Sequence, residues 1–116
     1  MFTTISTAGQ ELNLEYVKGI TLGPIVCTMS TRDGEPVDMG SARVLAWVQR
    51  GLMGEKVVDM EVVKVTPSKF SITLGAQQTM DLPNTPLVWG VAIIWSNGQL
   101  DSPLFGNMKA VRLVPL

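Results

Sequence analysis

The 116-residue sequence contains no histidine, a single cysteine and few charged residues. Without histidine the chain lacks the commonest general base and metal ligand, which excludes every Ser-His-Asp or Cys-His arrangement. The single cysteine, Cys27, excludes an intrachain disulfide and fits synthesis in a reducing compartment. Its neighbours in the sequence are mostly apolar, so we expect a buried, inert thiol.

Charge is scarce on this chain, since Asp, Glu, Lys and Arg make up 16% of the residues and hydrophobic residues 46%. Soluble domains typically have roughly 25% charged residues, so we expect much of the surface to be covered by partners. The net charge of −1 gives no electrostatic basis for binding nucleic acid or a membrane. No apolar run approaches the roughly 20 residues of a spanning helix, and the N-terminus does not resemble a secretory signal.

Carboxylates offer the remaining candidates for chemistry. Asp59 and Glu61 alternate along one predicted strand and would share its face, which is more typical of a solvated surface than of an acid/base pair. Asp33 and Glu35 flank a turn glycine, but their spacing matches no calcium loop. No glycine-rich phosphate loop precedes a helix. We therefore predict a protein that is not an enzyme and has no catalytic residues, no metal and no cofactor.

The segment from Leu87 to Trp95 has the clearest structural pattern. Bulky apolar residues occupy every second position, which places them on one face of a strand, and smaller apolar residues occupy the other face. Asn97 and Gly98 follow, and this dipeptide supplies the positive φ angles of a two-residue hairpin turn. The next segment should therefore run antiparallel to this strand.

Similar strands, punctuated by Gly, Pro or Asn, recur along the chain, and helical periodicity is nearly absent. The pattern predicts an all-β fold, an Ig-like antiparallel β-sandwich of seven to eight strands, with a small β-barrel as the alternative. We expect an N-terminal arm over residues 1–9 and a single domain over residues 10–116. The predicted strands include residues 41–49, 56–65, 70–74, 87–95 and 108–114.

An apolar dipeptide lies at one predicted connection, where Leu52 and Met53 stand between two glycines. An exposed Leu-Met tip is typical of a partner contact, although it could also fold back on the sheet. The uncharged arm could extend onto an adjacent subunit or could be a frayed terminus. The predicted interface residues are Phe2, Ile5, Leu52, Met53 and Leu116.

The three tryptophans, Trp47, Trp89 and Trp95, allow two interpretations. Trp89 and Trp95 share the bulky face of their strand, which is a core pattern. An aromatic surface for sugars is the alternative, and it requires at least one of the three rings to be exposed. The pattern favours core packing.

Several segments, taken in order, resemble a known family. They are residues 34–40 (GEPVDMG), 70–74 (FSITL), 77–83 (QQTMDLP), 87–89 (LVW) and 104–106 (LFG). The chain resembles small structural domains of tailed bacteriophages, similar to the N-terminal sandwich domain of baseplate upper proteins. It departs from them at Met39, where leucine is usual, and at Leu87, where an aromatic residue is usual. It also lacks the long C-terminal extension of such domains, so we expect the sandwich to act by docking.

The resemblance implies a virion protein, synthesised and assembled in the host cytoplasm, whose partners are other virion structural proteins in a symmetric assembly. We expect an adaptor at the tail, baseplate or fibre attachment site. A capsid decoration or cement protein is one alternative. A stand-alone carbohydrate-binding module is another, and it belongs to a different functional class.

Overall fold

The computed structural model describes residues 10–31 and 33–111, and the backbone of residues 2–6. The predicted all-β fold is confirmed, with ten strands and one short helix in these residues rather than seven or eight strands. The strands are β1 Phe2–Ser6, β2 Gln10–Glu11, β3 Leu14–Tyr16, β4 Leu22–Ser30, β5 Arg43–Gln49, β6 Lys56–Asp59, β7 Glu61–Thr66, β8 Lys69–Leu74, β9 Leu87–Ile94 and β10 Leu100–Ala110. The helix α1 is Ala76–Met80.

Two separate sheets pack against each other. The four-stranded sheet has the order β1-β4-β8-β7, and the six-stranded sheet has the order β2-β10-β9-β5-β6 with β3 also paired to β10. Most neighbours are antiparallel, whereas β1 lies parallel to β4 and both β2 and β3 lie parallel to β10. The architecture is a sandwich, so the barrel alternative is wrong.

Alternating side chains build the core between the sheets. The six-stranded sheet contributes Leu87, Trp89, Val91 and Ile93 of β9, and the four-stranded sheet contributes Phe70, Ile72 and Leu74 of β8, all fully buried. Burying a side chain of this size contributes about 1.5–3 kcal/mol. The face of each sheet that points away from this core is therefore left to meet solvent or a partner.

The predicted strand over residues 56–65 is two strands. The chain leaves the six-stranded sheet at Met60, whose backbone N–H donates to the Ala46 carbonyl at 2.9 Å, and then enters the four-stranded sheet. Asp59 and Glu61 consequently belong to different sheets, and the expectation that they share one strand face is wrong. Such a crossing between sheets is common at the corner of a sandwich.

The predicted hairpin after β9 is confirmed, but its turn differs. Trp95 N–H donates to the Gln99 carbonyl and Gly98 N–H to the Trp95 carbonyl, both at 2.9 Å. Only Gly98 has a positive φ angle, of 88°, so the connection is a longer loop that closes on a left-handed glycine rather than a two-residue turn.

The segment predicted to run antiparallel to β9 and the start of the predicted last strand over residues 108–114 form one continuous strand, β10, from Leu100 to Ala110. Pro103 lies within it, where the pairing of β10 with β9 shifts register between Asp101 and Leu104. A proline has no N–H to donate, and an irregularity of this kind accommodates it inside a strand. This continuous strand puts Phe105 opposite Gly90 on the six-stranded sheet.

The N-terminal residues also contribute a strand. The backbone of β1 pairs with β4, from Phe2 opposite Val26 to Ser6 opposite Ser30. The division into an arm over residues 1–9 and a domain over residues 10–116 stays a prediction. Within the described residues, no helix has the length and apolar character needed to cross a membrane.

Candidate functional site

An apolar tip connects β5 to β6. Leu52 and Met53 are 79% and 99% exposed there, the highest values among the large apolar side chains of the described residues. The turn closes through the Arg50 N–H, which donates to the Glu55 carbonyl at 2.9 Å. We call residues 50–55 the tip. Water surrounds its two largest apolar side chains.

The side chain of Gln49 holds the tip in place. Its Nε2 donates to the Gly51 carbonyl at 2.8 Å and to the Leu52 carbonyl at 2.9 Å. Its Oε1 accepts a hydrogen bond from Trp47 Nε1 at 2.7 Å. One amide therefore connects the tip to an aromatic ring on the sheet. A loop held in one conformation loses less entropy if it becomes ordered against another surface, and these bonds hold the tip in one conformation.

Replacing Gln49 by leucine is expected to loosen the tip without unfolding the sandwich. The change removes three hydrogen bonds, and each surface bond contributes about 0.5–1.5 kcal/mol. Hydrogen exchange at the Gly54 amide, which bonds the Gly51 carbonyl, should accelerate by about tenfold or more. The matched control is Gln77→Leu, since Gln77 of α1 makes one exposed side-chain hydrogen bond, to Asp81 just after the helix. If hydrogen exchange at Gly54 is unchanged in Gln49→Leu, the Gln49 side chain does not hold the tip in place.

Beside the tip, the outer face of the six-stranded sheet is largely apolar. Trp47, Gly90 and Phe105 lie in one row across β5, β9 and β10. The Trp47 ring covers Gly90, because three ring atoms lie 3.5–3.8 Å from where a Cβ of residue 90 would be. Phe105 is 42% exposed on the other side of the glycine. We call the outward side of β5, β9 and β10 the outer face.

A pocket lies between the tip and Phe105. Its volume is about 200 Å³. It is lined by Glu11, Leu52, Val88, Phe105, Gly106 and Asn107. Leu52, Val88 and Phe105 give it an apolar lining, and Glu11 and Asn107 add polar groups. A pocket of this size and character suits a single apolar side chain from a partner rather than a substrate.

A larger cavity of about 380 Å³ lies where the chain crosses between the sheets. Val44, Ala46, Met60 and Val62 line it, and the exposed Lys56–Asp59 ion pair, at 3.1 Å, lies beside it. It arises because β6 pairs with only the last part of β5 before the chain turns away at Met60. It brings together no set of side chains suited to catalysis.

The tryptophans have three different environments. Trp89 is buried and its Nε1 donates to the Leu12 carbonyl at 2.8 Å. Trp95 is half-buried against the core, and its Nε1 donates to Asp101 at 2.6 Å. Trp47 is half-buried on the outer face. Among the described residues, no group of three or more Cys, Asp or Glu side chains is placed to hold a metal ion.

Comparison with known proteins gives no family for this chain. No protein-family model matches it, and a search of the curated proteins found no match. The tip, the outer face and the pocket are therefore the features of this chain that bear on its function.

The predicted interface residues do not form one site. Leu52 and Met53 share the tip, whereas Phe2 and Ile5 belong to β1 at the edge of the other sheet. Leu116 lies outside the described residues. Their role as contacts stays a prediction.

Sequence reasoning missed Gln49 and Phe105. Phe105 lies in the segment after the hairpin, which was expected to run antiparallel to β9, but no prediction was made of which of its side chains point outward. Alternation of Leu104, Gly106 and Met108 with Phe105 and Asn107 was the available signal.

The predicted burial of Cys27 is confirmed, since it is 0% exposed. Desolvation by burial raises the pKa of the Cys27 thiol from 9.0 to about 12. A thiol this strongly protonated and this inaccessible does not act as a nucleophile.

Alkaline pH is expected to destabilise the fold through this thiol. Above about pH 9 the unfolded chain releases the Cys27 proton while the folded chain retains it, so the free energy of unfolding falls as the pH rises toward 12. Below pH 9 both states hold the proton and the thiol adds no pH dependence. Urea unfolding between pH 8 and 11 should show a shallower decline in Cys27→Ala than in the unmodified protein. Equal declines would refute the expectation.

Proposed function

We propose that this protein is a non-enzymatic structural component of a tailed bacteriophage particle. It acts as an adaptor at the tail, baseplate or fibre attachment site and docks to neighbouring virion proteins, in several copies within a symmetric assembly. Its place is the virion, and it contacts neither nucleic acid nor membrane. The observation that carries the proposal is the apolar tip, with Leu52 and Met53 exposed and fixed by Gln49.

The tip suits docking because its apolar side chains gain by leaving water. Burying a leucine or methionine contributes about 1.5–3 kcal/mol each, and the Gln49 bonds reduce the entropy that ordering the loop would cost. The outer face beside it continues the apolar surface through Leu45 and Phe105, which are both exposed. Contiguous apolar surface of this kind marks sites of protein contact.

Assignment to a phage particle rests on the sequence resemblance, together with the sandwich fold that such domains share. The low content of charged residues, 16%, supports a subunit whose surface is largely covered in an assembly. An adaptor of this kind requires a stable scaffold and adhesive loops and no catalytic group.

Substituting both tip residues, Leu52→Asp and Met53→Asp, is expected to reduce incorporation into particles at least tenfold. The two carboxylates would be desolvated at the contact, whereas the free protein keeps its stability because both positions are exposed. Incorporation is measured by quantitative mass spectrometry of purified particles after complementation with each variant.

The matched control is Met80→Asp, since Met80 is an exposed apolar residue on α1. It should be incorporated as the unmodified protein is. Normal incorporation of the double variant would show that the tip is not the contact.

Two alternatives remain as hypotheses. A capsid decoration protein would use the same surface at a different place in the particle. A carbohydrate-binding module is favoured by one observation, the half-buried Trp47 ring on the outer face. Protein docking is preferred because the outer face and the tip also expose aliphatic side chains, Leu45 and Leu52, which offer sugars no hydrogen bonds. Tryptophan emission that shifts on addition of glycans would reverse this preference.

A further inference from the structure

An exposed apolar patch lies at the end of the sandwich where the chain turns from β3 into β4. Ile20 and Met80 are 50% and 51% exposed there. The Ile20 carbonyl accepts a hydrogen bond from Thr79 Oγ1 at 3.0 Å. Met80 Cε lies 2.8 Å from where a Cβ of Gly19 would be. These contacts hold the end of α1 against the turn over residues 17–20. We call Ile20 and Met80 the end patch.

The last strand points at the end patch. β10 is parallel to β3, from Met108 opposite Leu14 to Ala110 opposite Tyr16. The next residue, Val111, donates its N–H to the Tyr16 carbonyl at 2.8 Å. Because the two strands run in the same direction, β10 is directed toward the turn that follows β3.

Residues 112–116 follow Val111 and lie outside the described residues. Four of these five are apolar, namely Leu113, Val114, Pro115 and Leu116. The strands that flank this end of β10 offer them no ladder, since β3 ends at Tyr16 and β9 begins at Leu87, opposite Met108. Apolar side-chain contact is therefore the interaction that this segment can offer.

The end patch is within reach of the segment. Ile20 N–H donates to the Val17 carbonyl at 3.1 Å, which closes a four-residue turn next to the end of β10. The ends of such a turn are less than about 7 Å apart and paired strands are about 4.8 Å apart, so Val111 lies within roughly 12 Å of Ile20. Five extended residues span up to roughly 17 Å. Length therefore permits the contact.

We propose that residues 112–116 fold back onto the end patch of their own chain, with Leu113 or Val114 against Met80. The contact removes apolar surface from water on both sides. The occupant belongs to the same chain because a short tether gives a local concentration on the order of millimolar, which a second copy in dilute solution does not match. The contact leaves the tip free for neighbouring subunits.

Oxidation by dilute hydrogen peroxide tests whether Met80 is covered. Peroxide transfers one oxygen atom to an accessible thioether sulfur and leaves as water, so the rate follows exposure. Met53, which is 99% exposed, is the reference within the same chain. The double variant Leu113→Asp and Val114→Asp should accelerate oxidation of Met80 about fivefold or more and leave that of Met53 unchanged. Peptide mass spectrometry of the purified full chain measures both rates.

The matched control is Leu100→Asp, because Leu100 is an exposed apolar residue at the other end of β10. It should leave both oxidation rates unchanged. The buried methionines report any unfolding, since an unfolded chain would be oxidised at all of them, and they are Met29, Met39, Met60 and Met108. A Met80 rate that does not change in the folded double variant would overturn the proposal.

Disulfide trapping gives a second readout that needs no aspartate. Met80→Cys combined with either Leu113→Cys or Val114→Cys should form an intrachain disulfide in at least one pair, because bridged cysteines have Cα atoms about 4.4–6.8 Å apart. Cys27 is buried and does not compete. Leu100→Cys with Leu113→Cys is the control and should stay reduced, since Leu100 lies roughly 30 Å back along β10.

Two results of the trapping would refute the contact. If neither pair forms a disulfide, the segment does not lie on the end patch. If the disulfide joins two chains, a second copy supplies the segment and the assignment to the same chain is wrong. Neither result bears on the docking tip, whose test is incorporation into particles.

Discussion

Replacing Trp89 by alanine should lower the free energy of unfolding by about 3–5 kcal/mol. The side chain is 1% exposed and belongs to the core between the two sheets. Its loss leaves a cavity that the surrounding strands can fill only in part. The change also removes the hydrogen bond from Trp89 Nε1 to the Leu12 carbonyl, 2.8 Å long. The free energy of unfolding of a native domain is about 5–15 kcal/mol in total. The variant should therefore lose a large part of its stability.

Urea denaturation of two further variants separates the effect of the cavity from that of the lost hydrogen bond. Trp89→Phe keeps much of the apolar contact and loses the hydrogen bond, so its cost should be smaller. Trp47→Ala removes a half-exposed ring of the same type and should cost less than Trp89→Ala. A loss of under about 1 kcal/mol in Trp89→Ala would contradict the placement of this residue in the core.

Replacing Gly106 by alanine should lower the free energy of unfolding by about 3 kcal/mol. A Cβ at this position would lie 1.9 Å from the backbone oxygen of Leu12 and 3.1 Å from Trp89 Nε1. The backbone of Leu12 cannot retreat freely, since its N–H donates to the Phe105 carbonyl at 2.8 Å. The added methyl group therefore forces residues 10–12 away from β10.

This displacement would also reach the pocket, because Glu11 is paired with Phe105 and contributes to the pocket wall. Gly106→Ala should thus weaken both stability and docking. The control is Gly98→Ala, where a Cβ meets nothing within 4 Å and the only cost is the positive φ angle, about 1–2 kcal/mol. If the two variants are equally stable in urea, the close approach of Leu12 to Gly106 is not a constraint.

Periodicity predicted the sandwich because β8 and β9 alternate strictly and their apolar faces form the core. The same alternation hid the crossing between the sheets at Met60. Met60 is an inward residue between Asp59 and Glu61, so the alternation continues unbroken while the hydrogen-bonding partner changes from β5 to β8. Side-chain periodicity records which residues face inward and does not record which sheet a strand joins.

The candidate site, too, was predictable from the sequence only in part. Two glycines around Leu52 and Met53 made an exposed connection predictable. The three bonds of Gln49 depend on how a turn folds back over its own strand, which no residue pattern encodes. The pocket depends on the approach of β2 to β10, a contact between residues far apart in the sequence.

The copy number of this chain in purified particles tests the central claim most directly. Quantitative mass spectrometry, normalised to the major shell protein, should find it as a component in several copies, from a few up to some tens at the tail or baseplate. Absence of the chain from purified particles would contradict its assignment as a structural protein of the virion.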